Sequence, residues 1–327
     1  MIYYESDSTD PYFNLALEEY FFEKMDRSKS YFLLWQNANT IVVGKYQNTA
    51  EEINRQYVED HGIRVARRLS GGGAVYHDMG NLNFTFIVDQ NEIEDFNFHT
   101  FVIPLIETLK MIGIKAEFNG RNDVTINGAK FSGNSQYSKK GRLMHHGCIM
   151  LDSDLNVVSE ALCVKNAKFS SKSVKSVRSR VTTINANTSE PIDMETFKAL
   201  LRDQIITTSH PVTAVLSPEQ INEIQALRDE KYATWEWNFG ASPDYDMRKE
   251  RKFQAGLITV LLKVSAGRIE DVHFYGDFFG NGDISELEQA LIGHKLDDTL
   301  MGHLNGLDVD AYIKGIGADD LYDLLMH

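Results

Sequence analysis

Residues 67–86 read Arg-Arg-Leu-Ser-Gly-Gly-Gly-Ala-Val-Tyr-His-Asp-Met-Gly-Asn-Leu-Asn-Phe-Thr-Phe, and no other stretch constrains the fold as much. Gly71, Gly72 and Gly73 strip every side chain from a short piece of backbone. Such a piece reaches positive φ and lets a ligand approach its N–H groups. Arg67 and Arg68 stand just before it, and guanidinium suits planar, bidentate binding of carboxylate or phosphate. Beyond the glycines, Leu82, Phe84, Phe86 and Val88 alternate with Asn81, Asn83, Thr85 and Ile87, a strand period with one slip. The reading is an anion-binding turn mounted on a core strand; a plain glycine-rich hairpin loop is the alternative. A nucleoside-triphosphatase phosphate loop is excluded, because no Gly-Lys-Ser/Thr follows at the required spacing. The spaced glycines of a dinucleotide fingerprint are missing too.

A chain of 327 residues suggests two domains. Hydrophobic content of 43% and charged content of 24% fit a soluble globular protein. No run of eighteen apolar residues occurs, which argues against a membrane span. The first residues, Met-Ile-Tyr-Tyr-Glu-Ser-Asp, do not have the plan of a secretory signal. Two cysteines, Cys148 and Cys163, make no disulfide framework, in keeping with a reducing cytoplasm. A net charge of −14 argues against nucleic acid as a partner. The charge is uneven: residues 270–327 carry thirteen acids against two lysines, whereas residues 161–189 carry six cations and no acid.

Taken in order, Asp10-Pro11 predicts a helix start, with apolar positions continuing to about Met25. Tyr31 to Trp35 and Thr40 to Val43 read as strands. Residues 50–60 read as one helix ending at Gly62, and Phe98 to Ile112 as another, with Pro104 inside it. Ile114 to Phe118 reads as a short strand, and Asp193 to Ile206 and Pro218 to Lys231 as later helices. Interleaved strands and helices predict an α/β (α+β) domain. The boundary falls at Ala241-Ser-Pro-Asp244 with the charged Arg248 to Lys252, giving domains 1–243 and 251–327. The second begins with a hairpin, Phe253 to Val264 and Ile269 to Tyr275 around Ala266-Gly267. Helices follow near Ile284 to Ile292, Leu307 to Ile313 and Ala318 to Met326, making a small α/β accessory domain.

The segment Asp123-Val-Thr-Ile-Asn-Gly-Ala-Lys-Phe-Ser132 is a hairpin, because Asn127-Gly128 supplies the two positive-φ residues of a type I′ turn. A two-residue loop sets Ile126 against Ala129, Thr125 against Lys130, Val124 against Phe131 and Asp123 against Ser132. Opposed residues share a face. Val124, Ile126, Ala129 and Phe131 are then core, and Asp123, Thr125, Lys130 and Ser132 are polar. That polar face is either solvated or, with Ser132-Gly133-Asn134-Ser135 as a second small-residue turn, a site. His145 and His146 are neighbours on a strand from Arg142 to Leu151, so they point to opposite faces, one to a site and one to structure. Cys148 shares the face of His146, which leaves a His-activated thiolate as an alternative to a buried core cysteine.

The signature at residues 67–81 resembles that of lipoate–protein ligases. The similarity continues, in family order, in Gly120-Arg-Asn-Asp123, Lys130-Phe-Ser-Gly133, His145-His-Gly147, Ser176-Val-Arg-Ser-Arg-Val181 and Trp235-Glu-Trp-Asn-Phe-Gly240. The resemblance implies the biotin/lipoate ligase catalytic core, related to class II aminoacyl-tRNA synthetases, with an accessory C-terminal domain. It implies activation of lipoate by ATP and Mg²⁺ to lipoyl-AMP, then transfer to a lysine of a lipoyl domain. Lys130 is the implied catalytic residue, and Lys130, Arg68 and His77 the implied lipoate contacts, although His77 and Asp78 also suit a bracing role at the turn. Nucleotide and adenylate fall to Arg68, Ser70, Gly71, Gly72, Gly73, Ala74, Val75, Tyr76, Asn122, Asp123, Ser135, His146 and Arg180. Asp123 either binds Mg²⁺ or tethers Lys130. The basic, serine-rich run from Lys165 to Arg180 would cover the phosphates as a mobile loop. Implied partners are the lipoyl domains of 2-oxoacid dehydrogenase E2 subunits and the glycine cleavage H protein, without nucleic acid or membrane, in the cytoplasm. The alternatives are a cysteine-dependent octanoyl or lipoyl transferase of the same fold, and a binding protein built on a dead ligase. The latter would have lost the lysine or the glycines.

Overall fold

The computed structural model describes residues 1–89, 97–119, 121–162, 180–206, 212–240 and 245–326. Its chain divides into two compact units. One comprises Met1–Val42, Ala50–Arg67 and Ala74–Asn238; the other comprises Val43–Thr49, Arg68–Gly73 and Phe239–His327. The lysine–arginine run 165–179 and the proposed boundary at 241–244 lie outside the described residues.

The first unit is built on an eight-stranded mixed sheet ordered β11-β1-β2-β6-β10-β9-β8-β7. Its strands are β1 (Ile2–Glu5), β2 (Tyr31–Trp35), β6 (Asn81–Asp89), β7 (Ala116–Asn119), β8 (Asp123–Ile126), β9 (Ala129–Lys139), β10 (Arg142–Met150) and β11 (Val212–Thr213). β1 runs parallel to both β2 and β11, and the other pairings are antiparallel. One face is apolar, because Leu82, Phe84 and Phe86 on β6 and Ile149 on β10 share it with Val124, Ile126 and Phe131. Helices Phe98–Met111 and Met194–Ile205 cover it through Phe101, Val102, Leu105, Leu109, Phe197 and Leu201. Helix Pro11–Lys24 packs on the opposite face, where Phe21 meets Tyr31 and Phe22 meets Tyr137. It starts as its sequence demands, with Asp10 accepting from the Tyr12 N–H and Pro11 at the first turn. A second, three-stranded sheet is ordered β4-β3-β5, from β3 (Thr40–Val43), β4 (Arg64–Arg67) and β5 (Val75–His77).

Three expectations change. Residues 50–60 form two short helices, Thr49–Glu52 and Arg55–Asp60, because Asn54 leaves helical geometry and its side chain caps the second at the Tyr57 N–H. The strand expected from Ile114 to Phe118 runs from Ala116 to Asn119. The charged run Arg248 to Lys252 is no linker: it lies in β12 (Met247–Phe253), the outer strand of the sheet β12-β13-β14 with β13 (Gly256–Ser265) and β14 (Arg268–Gly276). Charge along an edge strand hinders pairing with other chains, and it also hides the strand from a hydrophobic pattern search. Helices Ile284–Leu291, Thr299–Leu304, Val309–Tyr312 and Ala318–Met326 complete that unit around Val260, Leu262, Phe274, Phe278, Leu287 and Leu324.

Candidate active site

The hairpin from β8 to β9 turns at Asn127 (φ 52°) and Gly128 (φ 80°), as a type I′ turn requires. Ile126 pairs with Ala129 and Thr125 with Lys130 as expected. The register then slips, so that Val124 faces Ser132 and Asp123 faces Gly133. Phe131 is the extra residue of this bulge and is fully buried. Ser132 is thereby carried onto the core side, which corrects its expected place beside Lys130. The slip leaves a glycine where the Lys130 side chain crosses the strand: a Cβ at position 133 would lie 2.8 Å from Nζ. The ammonium meets Asp123 Oδ1 at 2.7 Å, with both side chains about one-third exposed. The backbone of Lys130 is held on its other side, its N–H donating to the Arg180 carbonyl and its carbonyl accepting from the Thr182 N–H, each at 2.8 Å. Lys130 is therefore a charge on a backbone fixed from two sides, next to a partly exposed carboxylate.

The same side of β10 carries His146 and Cys148, since β10 sets His146 opposite both Ser135 and Thr85, and Cys148 opposite Gly133 and Asn83. His146 Nδ1 lies 2.9 Å from Oε1 of Glu18, a carboxylate only 1% exposed on helix Pro11–Lys24. Thr85 donates to the same oxygen at 2.5 Å, and Trp35 Nε1 donates to Thr85 Oγ1 at 2.9 Å. Buried polar groups are costly unless hydrogen-bonded, and this carboxyl is bonded from two sides. His77 is buried beside the Trp35 ring, with Nδ1 3.2 Å from Asn37 Nδ2. Asp78 braces its turn, accepting from the N–H groups of Gly80 and Asp154.

The glycine turn belongs to the second unit. Gly72 sits at φ 91°, a region that side-chain-bearing residues avoid, and its N–H donates to the Phe278 carbonyl at 3.3 Å. Arg68 braces the turn from beneath, donating from Nε to Ser70 Oγ at 3.1 Å and from Nη2 to the carbonyls of Gly71 and Gly73 at 2.7 and 2.9 Å. Among the described residues, a Cβ at Gly73 would meet nothing within 4 Å. Ala74 to Tyr76 leave the turn for β5, where Val75 pairs with Val42 and Tyr76 with Ile41. Burial pushes the Tyr76 phenol up to about 12. Arg67 does different work from its neighbour. Within the first unit it joins the Trp235–Phe239 helix, its N–H and guanidinium reaching Asn238 and the Trp237 carbonyl while Trp237 Nε1 donates back to the Arg67 carbonyl.

Two sequence profiles match the chain: the Lipoyl protein ligase A/B catalytic domain over residues 10–206, and the Bacterial lipoate protein ligase C-terminus over residues 242–325. Lipoate–protein ligase 1 of Staphylococcus aureus is 44% identical over 97% of this chain and 97% of its own. The chain belongs to the lipoate–protein ligase family. The fold agrees with that membership: P. falciparum LipL1, solved in complex with lipoate, superposes with a TM-score of 0.83 over 99% of each chain at 23% identity. A lipoate–protein ligase A bound with ATP covers 73% of this chain, and this chain 97% of it, at a TM-score of 0.63 and 24% identity. Set against the ligase signature, the first unit brings Lys130, Asp123, Asn122, Ser135, His146 and Arg180 onto or beside β8, β9 and β10. Arg68, Ser70 and the three glycines stand in the second unit. Glu18, Thr85 and Trp35, which gather beside His146, were not expected there from sequence. A glutamate midway along a helix, set among Leu15, Leu17, Phe21 and Phe22, was the available signal.

Proposed function

We propose that this chain activates free lipoate with ATP and transfers the lipoyl group to the ε-amine of a lysine on a lipoyl domain. The observation that carries the reading is Lys130, an ammonium laid across Gly133 and paired with the partly exposed carboxylate of Asp123. In the first step a lipoate carboxylate oxygen attacks the α-phosphorus of ATP; the bond to the bridging oxygen breaks, leaving lipoyl-AMP and pyrophosphate. Negative charge grows on the phosphoryl oxygens and must be met by preplaced cations and donors. Lys130 contacts carboxylate and α-phosphate, and Asp123 releases it as they arrive. In the second step the acceptor amine attacks the acyl carbon, AMP leaves, and the ammonium of Lys130 stabilises the oxyanion.

By the family signature, Arg68, Ser70 and the backbone from Gly71 to Tyr76 are assigned to nucleotide, and Asn122, Ser135, His146 and Arg180 to the adenylate. His77 is assigned to lipoate, and the acyl chain to the face bearing Trp35, Thr85 and His146. Mg²⁺ is bound chiefly by substrate phosphates and water, needing few protein ligands. Asp123, which pairs with Lys130 here, is the side chain assigned to that metal. When bound, the metal would offset polyphosphate charge.

The acceptors are the lipoyl domains of 2-oxoacid dehydrogenase E2 subunits and the glycine cleavage H protein, in the cytoplasm. No helix of the described residues is long and apolar enough to cross a membrane. The test is lipoate-dependent exchange of labelled pyrophosphate into ATP, followed by mass spectrometry of a lipoyl-domain acceptor. Exchange without acceptor modification would confine the chain to the first step, and the absence of both activities would overturn the proposal.

A further inference from the structure

His145 lies on the face of β10 opposite His146, among the aromatic rings of the core. Its ring stacks on Phe101 at 4.6 Å and 17°, with Phe84 at 5.8 Å and the edge of Phe98 at 5.7 Å. Complete burial holds its pKa well below the ordinary histidine value, so the imidazole is neutral. Its tautomer follows from its two partners. Asn134 Nδ2 is held by the Asn122 carbonyl, so Oδ1, an acceptor, is the atom turned to Nε2, while Gln136 lies 3.1 Å from Nδ1. Nε2 therefore carries the proton and faces Asn134 Oδ1 at 3.3 Å.

Asn134 in turn faces the loop before β8. Its amide Nδ2 and its own N–H both donate to the Asn122 carbonyl, at 3.0 and 2.9 Å. Asn122 Nδ2 answers by donating to the Asn134 carbonyl at 2.9 Å. The residue after Asn122 is Asp123, the partner of Lys130. Room for this clasp comes from Gly147: a Cβ there would lie 2.5 Å from Asn134 Oδ1 and 2.6 Å from the Phe84 ring.

We propose that His145 is a positioning residue, which through its Nε2–H orients Asn134, and through the Asn134–Asn122 clasp fixes Asp123 and the Lys130 ammonium. The inference rests on the assignment of Lys130 to adenylation. It gives a chemical task to the first histidine of His145-His146, which otherwise has only packing to do. A neutral imidazole serves because its donor and acceptor are fixed, and an aromatic cage leaves it one ring orientation.

The test compares His145→Phe with His145→Gln in lipoate-dependent pyrophosphate exchange, together with melting temperatures and KM for lipoate. Phenylalanine keeps the stack and loses the donor, whereas glutamine loses the stack and keeps an amide N–H near the position of Nε2. Positioning predicts that His145→Phe melts higher than His145→Gln yet turns over more slowly. A misplaced reacting group costs on the order of 10- to 100-fold in kcat, with KM for lipoate nearly unchanged. A purely structural role predicts the opposite order, with rates following melting temperatures, and that result would overturn the inference. If neither variant folds, Asn134→Ser decides: wild-type kcat in it rejects the clasp, and a loss confined to kcat supports it. Lys130→Met, assayed in parallel, separates the two levels. An active Lys130→Met would reject the role of Lys130 itself, whereas an inactive one beside a fully active His145→Phe rejects the positioning inference alone.

Discussion

The proposed chemistry centres on one ammonium group, that of Lys130, and its removal is the most direct test. Lys130→Met should lower pyrophosphate exchange by about 10²-fold or more, the scale on which single preorganised electrostatic donors act. Lys130→Arg should restore only part of this, because a planar fork over Gly133 cannot replace a compact charge. Near-normal exchange in Lys130→Met would end the assignment. Cys148 supplies the complementary case. An adenylating route already has AMP as its leaving group and needs no thiolate, so Cys148→Ala should retain ATP-dependent lipoylation, with at most a modest loss from repacking a small buried side chain. Intact-protein mass spectrometry with lipoate and MgATP should show no acyl adduct on the enzyme; an adduct on Cys148 and an inactive mutant would place the chain with the transferases. Lys130 and Asp123 were legible as a same-face pair because a two-residue turn relates them locally. The buried Glu18–His146 pair was not, since its members are 128 positions apart and meet only after helix and sheet have packed.

The hairpin shows where reading by element succeeds and where it stops. Asn127-Gly128 fixed the turn and the first two pairs, because a tight loop leaves no freedom there. The bulge at Phe131 was invisible, being driven by the burial of that ring in a core made of distant strands. Its outcome matters more than the local register, since it moves Gly133 under the lysine. Gly133→Ala should therefore separate folding from activity. The new methyl would press on the flexible end of Lys130, at 2.8 Å from Nζ and 2.9 Å from Cε, with Cys148 Sγ at an ordinary 3.9 Å, so the melting temperature should change little. The displaced amine should lose on the order of 10-fold or more in exchange rate, as misplacement by a fraction of an ångström does. Gly128→Ala should show the reverse pattern. At φ 80° a side chain costs about 1–2 kcal/mol, which lowers stability while leaving the fully folded enzyme active. If Gly133→Ala melts early and keeps its rate, the lysine does not depend on that gap. Helix starts and strand periods elsewhere were legible for the same local reason. The edge strand β12 was not, because its charges mask its alternation.

At the scale of the whole molecule, the division of the chain does not follow the order of its sequence. A linear reading separates residues 1–243 from 251–327, and this remains the proposed domain plan. Yet the compact unit that contains Phe239–His327 also takes in Val43–Thr49 and the signature turn Arg68–Gly73. Such interleaving leaves no mark in composition, because it depends on contacts between segments about two hundred residues apart. Within that unit the Tyr46 ring stacks on Phe278 at 4.7 Å and 9°, and the Gly276 N–H donates to the Tyr46 carbonyl at 2.8 Å. Gly72 donates to the carbonyl of Phe278 as well, and a Cβ at Gly71 would lie 2.1 Å from that oxygen. A chain ending at residue 240 would therefore keep the eight-stranded sheet and its core but lose these partners of the glycine turn. Releasing one backbone residue gives back about 1–2 kcal/mol of conformational entropy, which ATP would then have to overcome in order to bind. The shortened chain should retain its far-ultraviolet circular dichroism and a cooperative melt while its KM for ATP rises about 10-fold or more, the equivalent of about 1.4 kcal/mol. Residues 245–327 added separately should recover part of that loss if they fold on their own. An unchanged KM for ATP in the shortened chain would show that the turn is ordered without Phe278, and that the interleaved unit has no part in nucleotide binding.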